Sequence, residues 1–282
     1  MTDKGINRCL ILLVIVFLAG LSAIGCYGYF LWNADREWEQ LKQMAESFTS
    51  QEIPAAKEKL PDGSAALPET QKEDFDRLKE QNGDFAGWIS IPGSEISYPV
   101  MHTPGDPEYY LRRSFTKKYS PSGVPFLDGE CSLFPRSDNL IIYGHHMKNG
   151  SVFSELLSYE KKDYWETHKE VKFSEQSGTV TYEVLAAFPL DVQNQKETER
   201  LYFIQFSDQA DFLAYYKMIK KKALYDTGVT PQYGDRLLTL STCSYHVQDG
   251  RFLVIAAAPA AAEATAEDPA GKPLPVSPES SE

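Results

Sequence analysis

The sequence predicts a mainly β domain carried behind a single transmembrane helix. Three observations lead there: no charge between Cys9 and Ala34, a series of short apolar segments between Gly87 and Ala258, and polar, Pro-rich sequence flanking that series. Many short strands at close spacing, interrupted once by a helical pattern, mean a barrel or a sandwich.

The elements follow in chain order. At about 1.5 Å per helical residue, the stretch 9–34 is long enough to cross a hydrocarbon core of about 30 Å. Lys4 and Arg8 precede it and Asp35-Arg36-Glu37 follows with one cation, so the positive-inside bias puts residues 1–8 in the cytoplasm and the rest outside. A cleaved signal peptide is the first alternative, but no small-x-small site follows. A lipid on Cys26, after Ala23-Ile24-Gly25, is the second, and the leucine usual three residues before such a cysteine is absent.

Residues 35–81 divide into three parts. Trp38, Leu41, Met44, Ala45 and Phe48 recur near helical spacing and predict a juxtamembrane amphipathic helix. Pro54, Pro61 and Pro68 predict a flexible linker from Gln51 to Thr70. Gln71 to Gln81 reads as a second helix.

The main domain, 82–258, holds nine strand-like segments: 88–91, 96–100, 124–127, 140–143, 171–173, 180–188, 201–206, 237–242 and 252–257. Phe212, Tyr215, Tyr216 and Ile219 predict a helix over 208–224, and 153–157 allows a short one. Residues 259–282 are Ala-, Pro-, Glu- and Ser-rich and read as a disordered tail.

A length of 282 residues leaves room for one domain with a sizeable core, and a formal charge of −12 argues against nucleic acid as a partner. The dense basic run, Lys217 with Lys220 to Lys222, lies on the expected helix as a solvated face. Of four cysteines, Cys9 and Cys26 fall in the span. Cys131, in a polar loop from Leu127 to Asp138, and Cys243 are too few for a disulfide framework.

Chemistry is concentrated at three strand tips. Leu237-Leu238-Thr239-Leu240-Ser241-Thr242-Cys243 is a buried-type strand ending in a thiol, and Gly250-Arg251-Phe252 opens the next apolar strand with a permanent cation. A thiol nucleophile beside a guanidinium suits acyl transfer, because the cation can stabilise a developing oxyanion. The strand Leu140 to Tyr143 exits through Gly144 into His145, the candidate proton donor. His146 is the rival, but alternation would send it to the other face. His102, His168 and His246 have no such context, and Arg236 reads as a solvated partner of Asp235.

Those residues resemble the sortase family, specifically its class B. The resemblance rests on Thr239-Leu240-Ser241-Thr242-Cys243, Tyr143-Gly144-His145, Gly250-Arg251-Phe252, Gly87-Trp88-Ile89 and Tyr98-Pro99-Val100, and covers about 82–258. It implies a closed eight-stranded β-barrel with amino-terminal helices and an inserted helix. It also implies a two-step transpeptidation with catalytic Cys243, His145 and Arg251. In it a sorting signal of an exported protein is cut after threonine, giving a thioacyl-enzyme, and the acyl group then passes to an amine of a peptidoglycan cross-bridge or to a pilin lysine. Tyr143, Ser241 and Thr242 are placed along the peptide groove, where Tyr143 could equally be a core aromatic. No metal or other cofactor is implied. Pro107 stands where many relatives have asparagine, which puts that contact to the sorting signal in question.

Two rival readings stay open at this stage. Cys243-x-x-His246 with His145-His146 could hold zinc, and the chain could be a wall-associated, non-catalytic interaction module. Leu67-Pro68-Glu69-Thr70 resembles a sorting signal, so the linker could occupy its own groove; the alternative is a chance tetrapeptide.

Overall fold

A computed structural model describes residues 3–44, 48, 65–193, 195–244 and 250–260. Eight strands close into one barrel in the order β1-β2-β3-β4-β7-β8-β6-β5. They are β1 (Phe85–Ser90), β2 (Ser97–Met101), β3 (Phe126–Leu127), β4 (Asn139–Gly144), β5 (Glu170–Glu175), β6 (Gly178–Leu190), β7 (Arg236–Ser244) and β8 (Gly250–Ala258), with a short helix, α3 (Lys162–Thr167), between β4 and β5. Closure removes every sheet edge. Pairs β2–β3 and β4–β7 are parallel and the others antiparallel.

Alternation along β7 and β8 explains why both strands are apolar on two faces. Leu238, Leu240, Phe252, Val254 and Ala256 fill the barrel. Leu237, Leu253, Ile255 and Ala257 instead face an outer layer with Phe212, Tyr215 and Ile219 of α5 (Gln209–Lys222). Asp208 starts that helix by accepting the N–H of Asp211 at 2.8 Å, an N-cap of the usual kind. Lys220 to Lys222 close its last turn, where cations suit the helix dipole.

One of the nine expected strands is not a strand. Leu201 ends a helix, α4 (Gln195–Leu201), and the segment after it is irregular up to Phe206. Leu201 and Phe206 are apolar because they pack beneath α5. Asn139 fixes the segment instead of a ladder. Its N–H donates to Ile204 O at 3.0 Å, its side-chain amide donates to Phe203 O at 2.9 Å, and its Oδ1 accepts from Thr239 Oγ1 at 3.0 Å.

At the amino end, α1 (Asp3–Met44) runs unbroken through the expected span and into the juxtamembrane segment as far as Met44. Its Leu10–Phe30 portion is long and apolar enough to cross a membrane and is wholly exposed. The portion beyond docks on the barrel: the Trp38 ring stacks on Tyr98 at 4.4 Å, Leu41 is buried, and Phe48 stacks on Trp88 at 5.7 Å. Such ring pairs contribute about 0.5–1.5 kcal/mol beyond the area they bury.

The expected linker is ordered at its end. Ala65 exchanges two backbone hydrogen bonds with Thr179, at 2.8 and 2.9 Å, and α2 begins at Glu69 and runs to Gln81, two residues earlier than periodicity suggested. Pro68 caps that helix and Leu67 packs on the core. The LPET-like tetrapeptide is therefore a helix start, outside the groove described below. The carboxyl-terminal tail beyond residue 260 lies outside the described residues.

Cys131 was expected in a solvated loop, yet it is buried against β4. Its sulfur accepts the N–H of Ile141 at 3.4 Å and lies 3.7 Å from Asn139 O. Burial pushes the thiol up to about 12. It is a free cysteine.

Candidate active site

The three strand tips named from sequence meet on one side of the barrel. Register pairs Cys243 with Arg251 across β7 and β8, and Gly144 with Thr242 across β4 and β7. His145 is the first residue past β4. It therefore leaves the sheet beside the end of β7, one step beyond the last parallel pair.

Gly144 is needed for space rather than for a special turn. It is not among the positive-φ glycines, and a Cβ there would sit 2.5 Å from the Phe153 ring, which is completely buried. Gly144→Ala should cost about 1–3 kcal/mol, the usual range for overpacking, and should displace His145. Chemical denaturation beside a peptide-cleavage assay checks both, and an unaltered midpoint would contradict this packing argument.

The His145 ring is half-buried, and its Nε2 lies 2.8 Å from Leu111 O, in a 3-10 turn, Tyr109–Arg112. A carbonyl can only accept, so Nε2 carries the hydrogen and Nδ1 is the atom left for proton traffic. Burial holds the His145 pKa below its ordinary value. The hydrogen bond to Leu111 opposes that, and the Arg112 and Arg251 guanidiniums add to it. Removing one cation favours the imidazolium, so Arg251→Gln should raise the His145 titration midpoint toward the ordinary histidine value. Imidazole proton NMR across pH reads this directly, and an unmoved midpoint would mean that the two groups do not sense each other.

Around these residues lies an open cleft of about 400 Å³. Its lining includes Pro107, Glu108 and Leu111 from the chain before β3, and Val192, Thr198 and Tyr202 from the chain between β6 and β7. Tyr143, His145, Ser241, Thr242 and Arg251 all line it. The Tyr143 hydroxyl donates to Asp128 Oδ2 at 2.8 Å, and its pKa is raised by burial first and by the Asp128 charge second. Ser241 Oγ and the Tyr202 hydroxyl are 2.8 Å apart. Thr242 belongs to the lining, while its Oγ1 is buried without a hydrogen-bond partner among the described residues. Pro107 touches the lining and leaves no room at Gly129, where a Cβ would lie 2.5 Å from the proline ring.

Sequence reasoning did not pick out Asp128, Leu111 or Tyr202. Asp128 carried a faint signal, an acid directly after the apolar strand Val124 to Leu127. Leu111 contributes only a carbonyl, and Tyr202 was assigned to a strand, so neither had one. His146 pairs through its backbone with Val152, away from the cleft lining, whereas His145 lies in it. His168 stacks on Tyr164 at 3.9 Å and lies 3.1 Å from Gly93 O, a packing role. His102 is half-buried, with its pKa lowered by burial. Asp235 receives the N–H groups of Gln232 and Ala260 at 2.7 and 2.9 Å, which closes a loop. His246 lies outside the described residues.

Comparison with known proteins agrees with this architecture. Residues 89–259 match the Sortase domain family model. The chain is 33% identical over 176 residues to Sortase B of Listeria monocytogenes, spanning 61% of this chain and 68% of that one. The solved structure of Clostridium perfringens sortase B is 30% identical, with a TM-score of 0.60, and covers 64% of this chain and 97% of its own. A Staphylococcus aureus sortase B–substrate complex superposes with a TM-score of 0.64 at 25% identity, over 78% of this chain and 93% of that one. These matches overturn the reading as a non-catalytic module. With an eight-stranded closed barrel, a thiol-bearing strand end and a cation in register beside it, the chain belongs to the sortase family, as a class B cysteine transpeptidase.

Proposed function

We propose that this protein is anchored by Leu10–Phe30 with its barrel outside the cytoplasm, and that it cuts a carboxyl-terminal sorting signal after threonine and transfers the new end to an amine. Residues 1–8 are cytoplasmic, 35–81 connect, 82–258 catalyse and 259–282 form a tail. The observation that carries the reading is the cross-strand pairing of Cys243 with Arg251, with His145 one residue past the neighbouring strand and in the same cleft as Arg251.

The proton and charge account runs through these three residues. The Cys243 thiol gives its proton to His145 Nδ1, and the thiolate attacks the threonine carbonyl. Arg251 takes the developing oxyanion with charge-assisted hydrogen bonds, which are strong where water is excluded. As the amide C–N bond breaks, the imidazolium passes its proton to the departing amine. Burial and two nearby cations make that imidazolium a stronger acid than an ordinary histidine. An incoming amine then attacks the thioester, returns a proton to Nδ1, and leaves the Cys243 thiol free after proton exchange. An amine is a better nucleophile than water, so holding it in place makes transfer outrun hydrolysis.

Substrate contacts are assigned to Tyr143, Ser241 and Thr242. Tyr143 and Thr242 are assigned on their place in the cleft lining. Ser241 is engaged by Tyr202 and shapes the wall. The similarity to a Staphylococcus aureus sortase B–substrate complex supports binding of a substrate by this barrel. Acceptors are a peptidoglycan cross-bridge amine or a pilin lysine, and the partners are exported proteins that carry the signal.

The test is a panel of candidate sorting peptides incubated with the enzyme and an amine acceptor, followed by mass spectrometry. The expected products are a peptide cut after threonine, an acyl adduct on the enzyme, and a peptide–amine conjugate that depends on the acceptor. Hydrolysis alone, insensitive to added amine, would contradict transfer.

A further inference from the structure

We propose that the hairpin Arg112–Tyr119 is a docking surface for anionic phospholipid headgroups. The proposal rests on the reading of Leu10–Phe30 as a membrane span. Arg112-Arg113-Ser114-Phe115-Thr116-Lys117-Lys118-Tyr119 carries four cations and no acid in a chain whose formal charge is −12. Cations collected on one surface of an otherwise acidic protein have a local reason.

Position supplies that reason. Phe30 is the last residue of the apolar stretch, and its ring meets Tyr119 edge-on at 5.2 Å. At about 1.5 Å per residue, the stretch matches a hydrocarbon core of about 30 Å, so Phe30 marks the boundary and Tyr119 lies in the headgroup layer. Tyr27, Tyr29 and Trp32 are exposed around the same end of α1, the aromatic belt expected at an interface. Arg36 lies over the Trp32 ring at 4.8 Å and adds a further cation to this level. The Thr116 N–H donates to Glu37 Oε1 at 2.9 Å, a second tie between hairpin and helix.

The hairpin is also built to hold its charges outward. Arg113 and Tyr119 pair as a bridge, Ser114 N–H donates to Lys118 O at 2.8 Å, and Lys117 takes the left-handed backbone (φ 65°) that a tight turn requires. Phe115 plugs the core beneath. Arg112, Arg113, Lys117 and Lys118 remain exposed; Lys117 is paired with Asp84 at 2.9 Å and Arg113 lies over the Tyr109 ring at 4.1 Å. Preorganised cations at this depth are drawn to an anionic surface with little ordering cost. Leu111, whose carbonyl holds His145, directly precedes the hairpin, so headgroup contact would set the cleft beside the bilayer.

The full chain in lipid nanodiscs tests this. The readout is the rate at which an amine-reactive reagent acylates Lys118, mapped by mass spectrometry, with exposed Lys221 on α5 as the internal reference. In discs containing phosphatidylglycerol, Lys118 should react about five-fold more slowly than in phosphatidylcholine discs. The difference should vanish at high salt, and Lys221 should not change. Equal Lys118 rates in the two lipids would overturn the proposal, as would equal protection by inorganic phosphate added to phosphatidylcholine discs. Extraction of liposome-reconstituted chain at alkaline pH separates the two readings: a chain released from the bilayer refutes the span and the docking together. A retained chain with lipid-independent Lys118 refutes the docking alone.

Discussion

Cys243→Ala should abolish both acyl-enzyme formation and amine transfer, a loss of at least about 10⁴-fold in peptide turnover, the scale seen when a nucleophile is removed. No other described cysteine can take over. Cys131 is buried at 3% exposure with its thiol pushed up to about 12, and Cys9 and Cys26 lie on α1. The substitution should leave folding intact, since the β7 ladder from Arg236 to Ser244 is made by backbone groups. Circular dichroism with a turnover assay checks both halves. Residual transfer within ten-fold of the native rate, or unchanged surface display of exported proteins in a strain carrying the variant, would contradict the assignment.

Arg251→Ala should lower kcat/KM by about 10²–10³-fold, the range measured when one oxyanion donor is lost. The effect belongs in kcat more than in KM, because the charge it meets develops only as the tetrahedral adduct forms. Arg251→Lys should recover part of the loss. An ammonium keeps the charge but not the planar fork of donors, so the order of rates is native, then Lys, then Ala. Single-turnover acylation with a sorting peptide separates the steps. If the alanine variant raised only KM, Arg251 would be a substrate anchor and the oxyanion role would fall.

The neutral-imidazole state of His145 links these two effects. Burial and the two guanidiniums favour the uncharged ring, the state that the proposed mechanism needs for Nδ1 to receive the thiol proton. In that mechanism, taking away Arg251 should weaken oxyanion binding and also make the imidazolium a weaker acid toward the leaving amine, and both changes should slow acylation.

The placement of the candidate residues was legible in the sequence because all three lie at strand ends. A hydrophobic run that stops at Cys243, one that starts after Arg251 and one that stops at Gly144 give the three tips, and alternation separates His145 from His146. What pattern could not give was whether an apolar run forms a ladder. Leu201 to Phe206 has strand composition, but Asn139 takes its carbonyls and α5 covers its side chains, so tertiary packing overrides propensity. Cys131 misled in the opposite direction. Its neighbours are polar, yet the chain folds back so that the thiol meets the Ile141 N–H. Gly144 was read as a turn residue, and the structure assigns it to close packing against Phe153. The cleft-lining residues Thr198 and Tyr202 come from a helix between β6 and β7 and from the residue just past its end, and nothing local marks them as cleft-lining.

The central claim is that Cys243, paired with Arg251 in the sheet, forms the acyl bond under that guanidinium. A crystal structure of the enzyme carrying a covalent threonine-ketone analogue of the sorting peptide tests it most directly. The account predicts the analogue on the Cys243 sulfur, its oxygen about 2.7–3.1 Å from Arg251 nitrogens, and the His145 ring on the side of the departing amine. An adduct whose oxygen points away from Arg251, or a Cys243 sulfur enclosed within the barrel and unreactive, would contradict it.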